Sequence, residues 1–118
     1  MSGITPWVAG QTSPTWTITC QRDGSVYDLT GQLASYISIL FYNNVFTATV
    51  NGQRSFTRIG TGVGSVTITS ASTGVITYAP ASADTLSLTP GQYWVRVEVN
   101  VNGTNPDYCD YLPIFIGA

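Results

Sequence analysis

The sequence predicts an all-β fold, an antiparallel β-sandwich, on the strength of three observations. Residues 93–101 alternate between apolar and polar side chains, with a valine at every second position from Val95 onward. A strand turns successive side chains to opposite faces, so this alternation is typical of a strand with one buried face. Further short runs of this kind are separated by turns rich in Gly, Pro, Asn and Asp. No stretch repeats its apolar residues at the helical period of about 3.6.

The segment before the alternating run indicates an immunoglobulin-like sandwich. Pro90 and Gly91 form a turn, and Tyr93 follows it at the start of the strand. This arrangement resembles the tyrosine corner of such sandwiches, where the ring packs inside and the hydroxyl bonds to nearby backbone. A core tyrosine at the start of any strand gives the same pattern, so that alternative stays open. The predicted buried residues of the strand are Val95, Val97 and Val99, and the predicted exposed ones are Arg96 and Glu98.

The other segments add short strands and an inserted β-hairpin. Strands are predicted at residues 15–20, 26–29, 34–42, 65–69, 74–78 and 108–116, with a helical turn at 80–85. Asn51-Gly52 lies between two alternating runs and predicts a hairpin over residues 45–59. Residues 60–64 lack the spacing and the lysine of a phosphate-binding loop, so they are predicted to be a flexible connector. Pro113 indicates a sheet edge or a bulge, because proline cannot donate to a ladder.

Length and charge restrict the class of protein. The 118 residues predict one immunoglobulin-like domain at residues 14–118, preceded by an N-terminal arm at residues 1–13. Four Arg, no Lys and six acids give a net charge of -2, so a basic face for nucleic acid is not expected. Polar residues interrupt every long uncharged stretch, so no membrane span is expected. The first residues also lack the pattern of a secretory signal.

The side-chain set does not favour catalysis. The chain has no His and no Lys, which removes the commonest general base, the commonest metal ligand and the Schiff-base amine. Glu98, Asp107 and Asp110 form either a weak calcium site or solvated charges near the last strand, and the second interpretation is favoured. The sequence therefore predicts no catalytic residue, no cofactor and no metal.

The two cysteines, Cys20 and Cys109, are far apart in the sequence and do not have metal-binding spacing. Cys20 falls on the predicted buried face of the strand at residues 15–20, together with Trp16 and Ile18. Both cysteines are predicted to be free buried thiols, the usual state in a protein made in the cytosol. A disulfide between them is the alternative if their strands adjoin.

Aromatic residues are the informative excess, since they make up 12% of a chain that has few charges to present instead. Trp94 lies on the opposite face of its strand from Tyr93, where an exposed indole is suited to contact with another chain or with a sugar. Cover from a neighbouring loop is the alternative for Trp94. The candidate interface residues are Trp94, Phe46, Phe56, Arg54, Arg58 and Trp7.

An ordered series of short motifs carries a family resemblance. The motifs are SPTWTI at residues 13–18, RDG at 22–24, DLTG at 28–31, TGVITY at 73–78, ADT at 83–85 and PGQYWV at 90–95. Their order resembles the N-terminal immunoglobulin-like domain of tailed-phage baseplate upper proteins, over about residues 14–116. The resemblance implies a non-catalytic structural protein of the virion, made in the bacterial cytoplasm and usually multimeric.

Two functions remain open at this point. The first is structural assembly in the tail, the baseplate or the capsid-associated parts of a phage particle, through contacts with copies of itself or with other virion proteins. The second is a carbohydrate-binding or adhesive module that uses Trp94 or the aromatics of the hairpin. The fold alone does not decide between them, because sandwiches host many functions.

Overall fold

The computed structural model describes residues 7–50 and 53–117, with the backbone alone described at 46–50 and 53–55. Its strands are β1 (Trp7–Val8), β2 (Trp16–Thr19), β3 (Gln21–Arg22), β4 (Ser25–Val26), β5 (Ile37–Val50), β6 (Gln53–Thr61), β7 (Ser65–Ser70), β8 (Val75–Ala79), β9 (Gly91–Val101), β10 (Asn105–Tyr108) and β11 (Leu112–Gly117). Helical structure within the described ranges is confined to a 3₁₀ turn at Ala34–Tyr36 and a one-turn helix, α1, at Ser82–Thr85. The predicted all-β class is therefore confirmed.

Two sheets enclose the core. The larger has the order β1-β11-β9-β5-β6, with β10 also beside β9, and the smaller has the order β2-β8-β7. Strands β3 and β4 form a separate short hairpin around Asp23 and Gly24, both of which have positive φ. All of these pairs are antiparallel except β1 with β11. The predicted antiparallel sandwich is confirmed in this arrangement.

The core joins alternate residues of both sheets. Val95, Val97 and Val99 of β9 are fully buried, as the alternation predicted. Trp16 and Ile18 of β2 face them from the smaller sheet, within one contiguous cluster of buried residues. Each sheet therefore buries one face away from water. The hydrophobic effect of this burial is the main contribution to the stability of a sandwich.

The segment that precedes β2 belongs to the sandwich over its described part. Trp7, predicted as part of an arm and as an interface residue, is 1% exposed and packs edge-on against Trp16 at 5.2 Å. Its strand β1 adds to β11 in parallel, with Trp7 opposite Ile116. Trp7 is thus a core residue and not an exposed interface residue, because its indole is packed within the buried cluster. Residues 1–6 of the predicted arm lie outside the described residues.

Strand β5 begins later and runs further than predicted. Residues Ala34–Tyr36 form the 3₁₀ turn, and the strand extends from Ile37 to Val50. Ile39 and Phe41 face the core, while Leu40 and Tyr42 are buried on the opposite face. The strand is therefore covered on both sides in this part. The turn residues Asn51 and Gly52 lie outside the described residues, but β5 and β6 pair as the hairpin predicts.

The predicted last strand is divided in two. Strand β10 ends at Tyr108 and pairs with residues 98–101 of β9, whereas β11 starts at Leu112 and pairs with the other end of β9. Pro113 lies opposite Trp94, in the part of β11 that β1 does not reach. Its missing N–H is therefore compatible with the free edge of the sheet, as proposed from the sequence.

The glycine connector between β6 and β7 is closely packed. The N–H of Gly62 donates to the carbonyl of Ile39 at 2.7 Å. A Cβ at Gly62 or Gly64 would overlap the phenol of Tyr78, so glycine is needed for this close approach. The prediction of a flexible connector is therefore wrong. The segment is held by hydrogen bonds and packs against the buried Tyr78.

The tyrosine corner is present. The hydroxyl of Tyr93 donates to the carbonyl of Thr89 at 2.8 Å, across the turn at Pro90 and Gly91. The Tyr93 ring is partly buried and packs against the core. Its hydrogen bond is exposed to solvent, so it fixes the corner more loosely than a buried bond would.

Candidate functional site

The outer face of the larger sheet carries a groove of about 430 Å³. It lies on the face of β9 that bears Trp94 and Arg96, opposite the core valines. The β3–β4 hairpin and the β10–β11 segment line it together with Phe56 of β6. The lining residues are Arg22, Asp23, Phe56, Trp94, Arg96, Asp107, Tyr108, Asp110 and Tyr111.

Aromatic rings form one wall of this groove. Trp94 stacks on Phe56 with a centroid distance of 5.1 Å and an interplanar angle of 22°. Tyr111 meets Phe56 edge-on, also at 5.1 Å. The indole N–H of Trp94 donates to Oδ1 of Asn44 at 2.7 Å, which fixes the orientation of the ring. Trp94 is therefore half-buried under the β5–β6 hairpin, and the exposed indole predicted from the sequence is partly covered.

Arg96 lies among these rings. Its guanidinium carbon is 4.9 Å from the centroid of Tyr108 and 4.6 Å from that of Tyr111. Its Nε donates to the carbonyl of Cys109 at 2.8 Å. The prediction that Arg96 and Glu98 are exposed is wrong, since both are half-buried beneath the β10–β11 segment. Alternation identified the face of β9 but not the segment that folds over that face.

We call this group of side chains the outer-face cluster: Tyr42, Phe56, Trp94, Arg96, Tyr108 and Tyr111. Tyr42 contacts Tyr111 edge-on at 5.1 Å, and burial together with the neighbouring Tyr111 raises the pKa of its phenol. The Glu98 carboxylate beside Tyr108 likewise raises the pKa of that phenol. The phenols of Tyr42 and Tyr108 therefore remain neutral at physiological pH and act as hydrogen-bonding groups.

The charged rim of the groove is internally paired. Arg22 binds Asp107 through Nη1, with distances of 2.5 and 2.6 Å to its two carboxylate oxygens. The Tyr27 hydroxyl also donates to Asp107. Burial of the phenol is the main cause, and the Asp107 carboxylate the second, of a rise in the pKa of Tyr27 to about 12. Asp110 accepts the backbone N–H groups at the turn of the β3–β4 hairpin, at 2.9 and 3.0 Å. The groove consequently offers aromatic surface and largely bonded charges, with the exposed Asp23 at its rim.

Most carboxylates around the groove have hydrogen-bond partners within the domain. The carboxylates of Asp107 and Asp110 are engaged in structural hydrogen bonds, and Glu98 lies against Tyr108. Among the described residues, no three His, Cys, Asp or Glu side chains lie close enough to hold a metal ion. No helix in the described ranges is long and apolar enough to cross a membrane.

The sequence-predicted site residues fall in different places. Phe56 and Trp94 meet in the groove, whereas Trp7 is in the core. Arg58 is exposed, bonds Thr61 through Nη2 at 3.3 Å and does not line the groove. The backbone of Phe46 pairs with that of Phe56, and the backbone of Arg54 pairs with that of Thr49. The side chains of Phe46 and Arg54 lie outside the described residues.

Several residues of the site were missed by sequence reasoning, Tyr42 and Arg96 among them. Arg22, Tyr108 and Tyr111 look like ordinary loop residues in the sequence, and the fold brings them onto β9. No pattern in the sequence signals that these segments pack against β9.

Comparison with known proteins adds no relative: no protein-family model, no curated protein and no solved structure matches the chain.

Proposed function

We propose that this chain is a structural component of a tailed-phage particle, in its tail or baseplate or associated with its capsid, and that it acts through protein–protein contacts without catalysis. The assignment to a virion rests on the ordered sequence motifs described above. The observation that supports protein contact is the outer-face cluster, in which partly exposed aromatic rings surround a bonded arginine. Aromatic residues and arginine are the residue types that are enriched in protein interfaces.

The β5–β6 hairpin extends the surface available to a neighbour. Strand β9 pairs with β5 only between Ile37 and Asn43, whereas β5 continues to Val50. Beyond Asn43 the hairpin is therefore a two-stranded ribbon that projects past β9, beside the groove. A ribbon with free edges can add to a neighbouring sheet or clasp a second chain.

The low charge of the chain favours association between its own copies. Only 8% of the residues are charged, and the net charge is -2, so repulsion between copies is weak. Identical copies generally assemble with closed symmetry, in which the same patch is used on each copy. The expected partners are therefore further copies of this chain, other virion proteins, or both.

Light scattering of the full chain over a wide concentration range tests this proposal. Trp94→Ala and Phe56→Ala remove the stacked pair, and Leu33→Ala is the control because Leu33 is exposed at the opposite end of β9 from Trp94. Each aromatic variant should weaken association by about tenfold or more, as central aromatic residues do. Leu33→Ala should leave it unchanged.

Thermal melts of the three variants establish that they are folded at the temperature of measurement. The proposal fails if the wild-type chain stays monomeric at every concentration and co-purifies with no particle protein. It also fails if Leu33→Ala disrupts assembly as strongly as Trp94→Ala.

A carbohydrate-binding module is the second candidate, and the composition of the groove favours it. Sugars present apolar C–H faces and hydroxyls that both donate and accept, which suits a wall of Phe56 and Trp94 beside paired Arg and Asp side chains. Trp94 fluorescence would report binding, because Trp7 and Trp16 are 1% and 3% exposed. Saturable quenching by a neutral oligosaccharide, lost in Trp94→Phe, together with a strictly monomeric chain, would favour this candidate over assembly.

A further inference from the structure

The two cysteines occupy equivalent positions in the two sheets. Cys20 directly follows β2 of the smaller sheet, and Cys109 directly follows β10 of the larger one. They are 1% and 2% exposed and belong to the same buried cluster. Residues far apart in the sequence are therefore brought together where the sheets close on each other.

Backbone hydrogen bonds hold both residues in place. The N–H of Asp110 donates to the carbonyl of Gln21 at 2.7 Å, which joins the residues that follow the two cysteines. Cys20 itself donates to the carbonyl of Gly74 at 2.7 Å, and Cys109 donates to that of Val97 at 2.9 Å. The chain on each side of the pair is thus anchored to its own sheet and to the other.

The two thiols are neighbours in the same buried cluster, next to the backbone bond that joins Gln21 and Asp110. The neighbouring Cys20 thiol, together with burial, raises the pKa of the Cys109 thiol. A disulfide requires converging side chains on Cα atoms about 4.4–6.8 Å apart. The 2.7 Å bond between Asp110 and Gln21 holds the two backbones next to each other immediately after the cysteines, and both side chains are buried in the same cluster.

We propose that Cys20 and Cys109 are a disulfide site that closes when the chain folds in the presence of a disulfide oxidant, and that the bond links the two sheets covalently. With glutathione disulfide as the oxidant, one cysteine thiolate attacks it and releases one glutathione. The second cysteine thiolate then attacks the mixed disulfide and releases the other glutathione. Two electrons pass from the cysteines to the oxidant, and their two protons end on the two glutathione thiols.

Burial restricts this chemistry to folding. The thiolate is the reactive form, and the raised pKa of Cys109 keeps it protonated inside the folded sandwich. The low exposure of both residues also excludes a bulky oxidant. Two populations follow: a dithiol form from folding in reducing conditions and a linked form from folding in oxidising conditions. The inference is independent of what the groove binds.

The experiment starts from the full chain, reduced and unfolded in guanidinium chloride, and dilutes it into dithiothreitol or into a glutathione redox buffer. Folding with glutathione should lower the intact mass by about 2 Da, the loss of two hydrogens. Trypsin cleaves after Arg22 and Arg96, so Cys20 lies in peptide 1–22 and Cys109 in peptide 97–118. These peptides should migrate as one linked species until a reductant separates them.

The linked form should also be more stable. Closing a loop of this length constrains the unfolded chain, and the resulting rise in melting temperature should be on the order of 10 °C. Cys20→Ala and Cys109→Ala are the matched controls, since either one removes the partner without introducing a polar group into the core. Each should melt at the same temperature after folding in either buffer.

Three results would overturn the inference. The first is a wild-type chain that folds in the glutathione buffer with both thiols still titratable and no linked peptide. The second is a linked form that melts below the dithiol form, which would mean that the native geometry does not accommodate the bond. The third is rapid linkage when glutathione disulfide is added to chain already folded in the reduced state, because burial would then not control the reaction.

Discussion

The hydroxyl of Tyr78 joins three parts of the sandwich, so Tyr78→Phe should destabilise the protein more than its small chemical change suggests. Tyr78 is 1% exposed and stands on β8 with its ring against Trp16. Its hydroxyl donates to Asp84 of α1 and accepts the N–H of Gly64 at 3.0 Å. Phenylalanine keeps the packing of the ring and removes both hydrogen bonds.

The expected loss follows from the two bonds. A hydrogen bond to a charged group contributes about 1.5–3 kcal/mol, and an N–H left without a partner costs about 1–3 kcal/mol. Asp84 keeps the N–H groups of Val63 and Ala81, at 2.8 and 3.1 Å, so its carboxylate is not left unsatisfied. Gly64 is half-buried and can recover part of its loss from water. We therefore expect a loss of about 3 kcal/mol.

Equilibrium unfolding in urea at pH 7 measures this loss, with Tyr93→Phe as the matched control. Tyr93 also donates through its hydroxyl, but its bond to Thr89 is exposed and water replaces it readily. The control should lose about 0.5 kcal/mol. The reasoning is refuted if Tyr78→Phe lies within error of the wild type, or if the two substitutions destabilise the protein equally.

Three further outcomes are expected. Val97→Ala should lower the free energy of unfolding by about 2 kcal/mol in the same urea assay, because it leaves a cavity in the core. Protein made and purified under reducing conditions should show two thiols, Cys20 and Cys109, by titration after unfolding without reductant. Stability of the reduced protein should fall progressively from about pH 9 toward pH 12, because the raised pKa values of Cys109, Tyr27 and Tyr78 make the unfolded state release these protons first. Urea midpoints across that range measure the fall, which should be smaller in Tyr78→Phe.

The candidate site illustrates what alternation in the sequence does not contain. Period-two patterning placed Trp94 and Arg96 on the face of β9 away from the core, and that placement is correct. It did not predict that Phe56 stacks on Trp94, or that Tyr108 and Tyr111 enclose Arg96. Those contacts join segments that are neighbours in space. The sequence of each segment alone shows only which of its residues are polar and which are apolar. A side chain that one strand leaves exposed is covered when another segment crosses it.

The sequence by itself determined the class of fold and the identity of its core strands. Alternating valines, Asp-Gly and Pro-Gly turns and the position of Tyr93 act within a few residues, where backbone sterics and side-chain alternation are decisive. The tertiary structure alone decided which residues meet across long separations: Trp7 with Trp16, Arg22 with Asp107 and Cys20 with Cys109. Such meetings depend on sheet order and on how the two sheets close, and local propensity carries no information about either.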